Sequence, residues 1–180
     1  MLYGDNPIAT GWVYTAIASI GHGDEVSWLD GGISAWESEK RPVEMSAPPP
    51  GSGPLTPRPA PDLIVDATYV RDHLNSPNTK ILDVRTEQEW NIGHLPNATL
   101  ILWQDLFTNP KTQTFKSREE IRALLERAGI KPNQEAITYC AVGMRASLMA
   151  WAARSAGIQT RVYLGSWQDW SKNPNNPTVK

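Results

Sequence analysis

Short apolar segments alternate with helical patterns from residue 62 to the end of the chain. Strands are predicted at 80–84, 98–102, 136–139 and 161–164, and helices at 67–75, 87–91, 103–107, 117–128, 146–156 and 166–170. Short continuous apolar strands between helices are typical of a parallel sheet that is covered on both faces. The sequence therefore predicts an α/β fold in which helices flank a parallel sheet on both sides.

The helix predicted after residue 116 has the clearest local signals. Ser117 and Glu120 have the spacing of a capping box, in which each side chain bonds to the other residue's backbone N–H. Apolar residues then follow at helical spacing until Gly129, which is typical of a helix end.

The only cysteine of the chain, Cys140, directly follows the predicted strand 136–139 and starts a six-residue loop that ends at Arg145. In open α/β sheets, sites form at the carboxyl ends of strands. Backbone N–H groups of a loop before a helix, together with a guanidinium, stabilise negative charge, and Gly143 allows a positive φ there. The pattern predicts a thiolate nucleophile with an oxyanion site beside it. A lone cysteine after a strand is also commonly a buried apolar residue, and this alternative stays open here.

An ordered series of residues occurs twice in the chain. The first series is Tyr3, Gly21, Gly31, Ile33 and Trp36, and the second is Tyr139, Gly157, Gly165, Trp167 and Trp170. The first two pairs are 136 residues apart and the last three pairs 134 residues apart. We therefore predict an internal repeat with one two-residue length change.

The first copy, residues 1–44, is predicted to be partial and inactive. It holds an amphipathic helix at 9–20, a strand at 25–29 and a short helix at 33–40, which is too little to bury a core of its own. In the repeat, Gly4 takes the place of Cys140 and Ala9 that of Arg145. We therefore expect a structural role for this copy, which would pack on the second copy, be loosely ordered, or require further chain.

Residues 45–61 contain seven prolines and are predicted to be a semi-rigid, polyproline-like linker. Proline lacks a backbone N–H and disfavours both helix interiors and central strands. The domain division that follows is 1–44 for the partial copy, 45–61 for the linker and 62–180 for a catalytic domain.

Charge and composition exclude several classes of partner. The net charge is −2 and the isoelectric point is near 5.9, so no basic excess suggests nucleic acid or an anionic membrane as a partner. No apolar run approaches the roughly 20 residues of a membrane span. One cysteine and three scattered histidines do not form a zinc-site pattern, and no metal is expected. A free thiol fits a reducing compartment, and we expect a cytoplasmic protein.

Four motifs together resemble the rhodanese family of sulfurtransferases. They are Leu82-Asp-Val-Arg85 followed by Glu89-Trp90, Gly93-His-Leu-Pro-Asn-Ala98, the loop Cys140-Ala-Val-Gly-Met-Arg145, and Gly165-Ser-Trp-Gln-Asp-Trp170. The first copy resembles the end of a rhodanese domain, so the resemblance covers nearly the whole chain. The arrangement is similar to tandem-domain thiosulfate sulfurtransferases, in which the first domain is catalytically silent.

The resemblance implies a two-step sulfur transfer. The Cys140 thiolate would take the outer sulfur of thiosulfate or a similar donor, and the persulfide would pass it to cyanide or a thiol, with ping-pong kinetics and no cofactor. Arg145 would bind the anionic donor.

Further residues complete the predicted binding site. The backbone N–H groups of the loop would cradle the persulfide, and these belong to Ala141, Val142, Gly143, Met144 and Arg145. Trp167 is a candidate wall of the pocket. Arg85 could approach the donor, although an internal ion pair with Asp83 is the simpler interpretation.

Three alternatives remain at this point. Related loops often carry a second basic residue where this chain has Ala141 and Val142, which leaves open a non-catalytic binding or regulatory module. Loops of 3-mercaptopyruvate sulfurtransferases usually have glycine after the cysteine and no terminal arginine, so Arg145 favours thiosulfate. Phosphatase or arsenate reductase variants of the fold have a loop one residue longer.

The remaining histidine and tryptophan candidates have structural explanations. His94 lies in a Gly-His-Leu-Pro pattern that is typical of a turn, and an ionised thiolate needs no base. Trp36 and Trp170 are expected in the core.

Overall fold

The computed structural model describes residues 1–46, 56–60, 62–109 and 111–180. Its α-helices are α1 (Pro7–Ser19), α2 (Gly32–Ser38), α3 (Ala67–His73), α4 (Glu87–Ile92), α5 (Arg118–Arg127), α6 (Met144–Ser155) and α7 (Ser166–Trp170). Its strands are β1 (Ile64–Val65), β2 (Thr79–Asp83), β3 (Ala98–Leu100), β4 (Phe107–Asn109), β5 (Thr114–Phe115), β6 (Glu135–Tyr139) and β7 (Thr160–Tyr163). Two short 3₁₀ helices lie at Gly23–Glu25 and Trp103–Leu106.

Five strands form one parallel sheet in the order β1-β7-β6-β2-β3. The central strand β6 pairs with β2 on one side and β7 on the other, so Tyr139 lies beside Asp83 at the carboxyl edge. The predicted α/β fold is therefore confirmed. The strand β1 and the antiparallel hairpin of β4 and β5 were not predicted, because two or three residues carry no readable periodicity.

Helices cover both faces of this sheet, as predicted. On one face α6 packs against β6 and β7, and α5 and α1 pack against α6. On the other face Val70 of α3, Leu74 at its C-cap and Trp170 of α7 join Ile81 and Ile137 in a second buried cluster. All five parallel strands thus end at the same edge, between two apolar layers, and the loops that follow them start from this edge.

The predicted helix start at Ser117 is confirmed in detail. The Ser117 hydroxyl accepts from the Glu120 N–H at 3.2 Å, and the Glu120 carboxylate accepts from the Ser117 N–H at 2.8 Å. Gly129 follows the helix with φ +91°. The spacing of Ser117 and Glu120 was sufficient to predict this helix start, because both hydrogen bonds join residues within a span of four.

The elements of residues 1–44 differ in part from the prediction. Both helices are present, but the strand predicted at 25–29 is reduced to one parallel bridge between Leu2 and Trp28. The buried side of α1 carries small or polar residues such as Thr10 and Gly11, whereas Trp12 is 39% exposed. The amphipathic pattern was misjudged because α1 packs on another helix, and close approach favours small residues over large ones.

Two parallel backbone pairings have the spacings of the predicted repeat. Leu2 pairs with Trp28 in parallel, and Thr138 pairs with Val162 in parallel between β6 and β7. These residues are 136 and 134 positions apart, the same two spacings that relate the copies in the sequence. The helix α1, which follows Leu2, packs against α6, which follows β6. Gly11 permits this contact, since a Cβ there would lie 2.7 Å from the Cα of Leu148.

Most of the predicted linker, and with it the expected polyproline-like conformation, lies outside the described residues. Residues 56–60 are described, and they attach to the end of α1. The Arg58 N–H donates to the Ile20 carbonyl at 2.8 Å, and the Ala60 N–H donates to the Ser19 carbonyl at 2.9 Å.

Candidate active site

Cys140 lies at the carboxyl end of the central strand β6, at the floor of the loop that leads into α6. The residue is 1% exposed. Its sulfur accepts the Gly143 N–H at 3.1 Å, and its own N–H donates to the Ser166 hydroxyl at 3.1 Å. The loop therefore curls around the sulfur, and at least one backbone dipole points at the atom that would carry negative charge.

Gly143 is the residue that makes this curl possible. It is the N-cap of α6 with φ +89°, a conformation that favours glycine. A Cβ at this position would lie 2.7 Å from the Leu164 carbonyl oxygen, so the segment after β7 closes the space from behind. The glycine predicted from the loop sequence is thus required both by its backbone angle and by its neighbour.

The carboxyl side of the sheet anchors the rest of the loop through α7. The Trp167 N–H donates to the Cys140 carbonyl at 2.9 Å, and the Gln168 N–H donates to the Ala141 carbonyl at 3.0 Å. Val142 is 47% exposed at the tip of the loop. Ala141 and Met144 are partly exposed, so the loop presents a mostly apolar rim to an incoming ligand.

Arg145 is held beside the cysteine by an acidic partner. Its two terminal nitrogens donate to the two carboxylate oxygens of Glu89, each at 2.7 Å. The Glu89 hydrogen bond raises the pKa of Arg145, and the nearby Cys140 side chain adds to this shift. The Arg145 hydrogen bond lowers the pKa of Glu89 to about 2, although partial burial opposes the shift. The guanidinium is therefore fixed in place and carries its charge next to the sulfur.

Glu89 is a site residue that the sequence prediction missed. It is the third residue of α4, and it forms a capping box with Thr86 at the start of that helix. The Thr-x-x-Glu spacing could have indicated the cap, as it did at Ser117. Its pairing with a residue 56 positions away has no local signal.

The structure places Arg85 in a buried internal ion pair, the simpler of the two interpretations. The residue is 1% exposed, and its guanidinium donates to both carboxylate oxygens of Asp83 and to the Gly93 carbonyl. The Tyr139 hydroxyl donates to the same Asp83 carboxylate. Burial raises the pKa of Tyr139 above its usual value, and the Asp83 charge raises it further. The Arg85 side chain therefore points inward, where it stabilises the carboxyl edge of the sheet, and it does not face a ligand.

Trp167 covers this ion pair. Its ring lies 4.7 Å from the Arg85 guanidinium carbon and contacts Gly93, where a Cβ would lie 3.0 Å from the ring. The tryptophan is partly exposed, so it connects the buried pair to the surface near the loop. Its position is compatible with a pocket wall.

Structural roles were predicted for His94, Trp170 and Trp36, and the structure agrees with the first two but not with the third. The His94 ring stacks on Trp90 with centroids 3.5 Å apart, and its backbone forms an antiparallel bridge with Val179, so its role is structural, but the turn lies two residues later, at Pro96 and Asn97. Trp170 is fully buried, as predicted. Trp36 is only partly buried and was wrongly placed in the core, because no described helix covers it as α3 covers Trp170.

Among the described residues, no three His, Cys, Asp or Glu side chains are arranged to hold a metal ion. In the same ranges, no helix combines the length and the apolar character that crossing a bilayer requires.

Known proteins resemble this chain over most of its length. A "Thiosulfate sulfurtransferase" from Azotobacter vinelandii is 28% identical over 83% of this chain and 58% of its own length. "Thiosulfate sulfurtransferase YnjE" from Escherichia coli is 30% identical over 99% of this chain and 46% of its own length. The crystal structure of YnjE superposes with a TM-score of 0.82 at 28% identity, covering 99% of this chain and 48% of that one.

A third relative is named for a different donor. A "Probable 3-mercaptopyruvate sulfurtransferase" from Pseudomonas aeruginosa is 26% identical over 99% of this chain and 66% of its own length. The chain thus spans between about half and two thirds of the length of these three relatives.

The rhodanese-like domain family matches residues 66–173, which include the whole parallel sheet except β1 and all of the cysteine loop. This match covers more than half of the chain, and the sheet order, the loop and the paired arginine and glutamate lie within it. The chain therefore belongs to the rhodanese family.

Proposed function

We propose that this chain is a sulfurtransferase that uses Cys140 as a nucleophile. The thiolate attacks the outer sulfur of thiosulfate, the S–S bond of the donor breaks, and sulfite leaves with the bonding electron pair. The enzyme then carries a persulfide on Cys140. Cyanide or a thiol then attacks the outer sulfur and takes it away as thiocyanate or as a new persulfide. The S–S bond to Cys140 breaks, and Cys140 returns to the thiolate.

The observation that carries this proposal is the surroundings of the Cys140 sulfur. It accepts a backbone N–H from Gly143, and the charge of Arg145 is held next to it by Glu89. Both groups favour negative charge on the sulfur and, in the persulfide, on the outer sulfur atom. The proposed steps need neither a metal ion nor a general base, because the nucleophile is already a thiolate.

The relatives support the same chemistry. Two of them are named thiosulfate sulfurtransferases, and the family match includes the loop. Because this chain spans only part of each relative, its activity has to be measured on the chain itself.

Intact mass spectrometry tests the proposal directly. After incubation with thiosulfate and removal of the donor, we expect a mass gain of one sulfur atom that dithiothreitol reverses. The Cys140→Ser variant should show no gain, and cyanide should convert the loaded protein back while releasing thiocyanate. Uptake of sulfur by Cys140→Ser would contradict the proposed nucleophile.

The second candidate donor is 3-mercaptopyruvate. The Arg145 charge is shared with Glu89, which makes the loop less attractive to a doubly charged donor than the sequence suggests. The "Probable 3-mercaptopyruvate sulfurtransferase" relative points in the same direction. Comparing kcat/KM for the two donors in wild type and Arg145→Gln separates them, since the preferred donor should lose more.

A non-catalytic binding or regulatory module remains the competing proposal. It is motivated by the apolar rim of Ala141 and Val142, where a second basic residue is missing. Failure of both donors to load Cys140, with the protein folded, would make it the leading one.

We further infer that residues 1–44 correspond to the carboxyl-terminal part of a second, inactive rhodanese-like unit. The parallel bridge of Leu2 with Trp28 and the contact of α1 with α6 support this inference. Gly4 and Ala9 occupy the repeat positions of Cys140 and Arg145, so the unit has no nucleophile of its own.

A further inference from the structure

A cleft of about 720 Å³ lies between residues 1–44, the amino-terminal unit, and residues 62–180, the proposed catalytic unit, away from Cys140. One wall is formed by α1 and the segment that follows it, and the other by the start of α5 and the end of α6. Arg154 at this end of α6 is ten residues from Met144 at the loop end, which corresponds to roughly 15 Å along the helix. The volume falls within the roughly 300–1,000 Å³ of small-molecule sites.

Two arginines in this cleft have no acidic partner among the described residues. Arg118 forms no ion pair with any described carboxylate, and Arg154 reaches only the Thr160 carbonyl, at 3.4 Å. Both side chains are exposed to the cleft, whose lining includes one carboxylate, that of Asp24. The lining therefore carries a net charge of +1, from two guanidinium groups and one carboxylate.

A hydroxyl on a buried side chain also opens into the cleft without a partner. Tyr14 is 6% exposed, yet its phenol forms no hydrogen bond with any group in the described ranges. The neighbouring Gly23 leaves this hydroxyl accessible, since a Cβ there would lie 3.3 Å from the Tyr14 oxygen. Unlike the buried Thr15 hydroxyl, the Tyr14 oxygen stays accessible from the cleft, so it can donate to an acceptor on a molecule that binds there.

The floor of the cleft is aromatic. Trp28 and Trp151 lie against each other with ring centroids 4.4 Å apart, and both pack on Phe115 behind them. Each tryptophan is partly exposed. An aromatic surface next to guanidinium groups suits a flat apolar body that carries an anionic group.

We propose that this cleft binds a small aromatic anion, with a carboxylate or sulfonate bonded to Arg118, Arg154 and the Tyr14 hydroxyl, and a flat body against Trp28 and Trp151. The site is distinct from the sulfur-transfer loop and does not depend on the proposed activity. The two units both contribute to it, so a bound ligand would also hold them together.

Calorimetric titration of the full chain with 1-naphthoate, compared with the uncharged 1-naphthamide, tests the proposal. We expect saturable binding of the acid at least roughly tenfold tighter than of the amide, because charge-assisted bonds to arginine are lost with the charge. Equal affinity, or no binding of the acid at millimolar concentration, would overturn it.

Matched variants identify the site. The double variant Arg118→Gln/Arg154→Gln should weaken binding at least roughly tenfold, and Tyr14→Phe severalfold, whereas Arg127→Gln on the exposed face of the same α5 should bind as wild type. Arg145→Gln is the decisive control, because it removes the cation of the cysteine loop. If Arg145→Gln abolishes binding and the double variant does not, the anion binds at the cysteine loop and the cleft is not a ligand site.

Discussion

Residues that the predicted repeat pairs lie in different surroundings in the amino-terminal unit and in the proposed catalytic unit. Tyr3 is 64% exposed, whereas its counterpart Tyr139 is fully buried. Trp36 is only partly buried, whereas Trp170 has no exposed surface. In the catalytic unit α3 and the neighbouring strands cover these side chains, and no described element covers them in the first. The same residue in the same local structure is therefore core or surface according to what the rest of the chain places over it.

The two loops that follow the equivalent strands differ just as clearly. Gly4 stands where the catalytic unit has Cys140, and Ala9 where it has Arg145. The predicted repeat thus places the proposed nucleophile and its cation in one of the two loops only. Sulfur transfer should therefore depend on the catalytic loop alone, while the amino-terminal unit contributes by packing.

The largest expected effect is the loss of sulfur uptake in Cys140→Ser. We expect no persulfide by mass spectrometry and no thiocyanate release above background, because no other thiol exists in the chain. Adding Gly4→Cys to this variant should not restore uptake, since the first loop lacks a counterpart of Arg145. Restored uptake in the double variant Gly4→Cys/Cys140→Ser would break the comparison, because it would make the shared backbone frame sufficient for catalysis.

A second test compares ion pairs in the two units. Asp83→Asn should lower the unfolding free energy by roughly 3–5 kcal/mol, because it leaves the buried Arg85 charge without its partner. Glu39→Gln removes the carboxylate of the exposed Glu39–Arg41 pair and should leave the unfolding free energy almost unchanged. Urea unfolding at neutral pH measures the loss of unfolding free energy in each variant. Similar losses in the two variants would show that burial does not determine how much an ion pair contributes to stability.

The contact between the units can be tested at Gly11. Gly11→Leu should lower the unfolding free energy by about 1–3 kcal/mol, because the side chain would enter the space of the α6 backbone at Leu148. Ala16→Leu, on the exposed side of the same α1, is the matched control and should be near neutral. If both variants melt like wild type, α1 does not pack on α6 in solution.

The smallest expected effect is the pH dependence of the Glu89–Arg145 pair. The folded-state pKa of Glu89 is lowered to about 2 from an ordinary value of 4.5. Its contribution to stability is therefore complete above pH 4.5 and is lost as the pH falls from 4.5 towards 2. The difference in melting temperature between wild type and Glu89→Gln should shrink across this window.

Glu87→Gln is the control for this pair, because Glu87 lies on the same α4, is exposed and forms no ion pair with described residues. It should show no comparable change with pH. A constant difference between wild type and Glu89→Gln would mean that Arg145 is positioned by other contacts.

Much of the fold could be predicted from the chain because its signals are local. The strands β2, β3, β6 and β7 are short apolar runs, and the capping box at Ser117 needs only four residues. The hairpin of β4 and β5 and the edge strand β1 could not be predicted, because two- and three-residue strands are defined by their partners. The strand expected at 25–29 failed for the same reason, since Leu2 is its only described partner.

The sequence by itself determined the cysteine loop, since Cys140, Gly143 and Arg145 lie within six residues and the glycine's positive φ is a local requirement. Only the tertiary structure decided what surrounds it. Glu89 reaches Arg145 from 56 positions away, and Asp83 turns Arg85 inward beneath Trp167. Backbone angles and helix caps depend on neighbours in the chain, whereas the partner of a charge and the burial of a side chain depend on which distant segments the fold brings together.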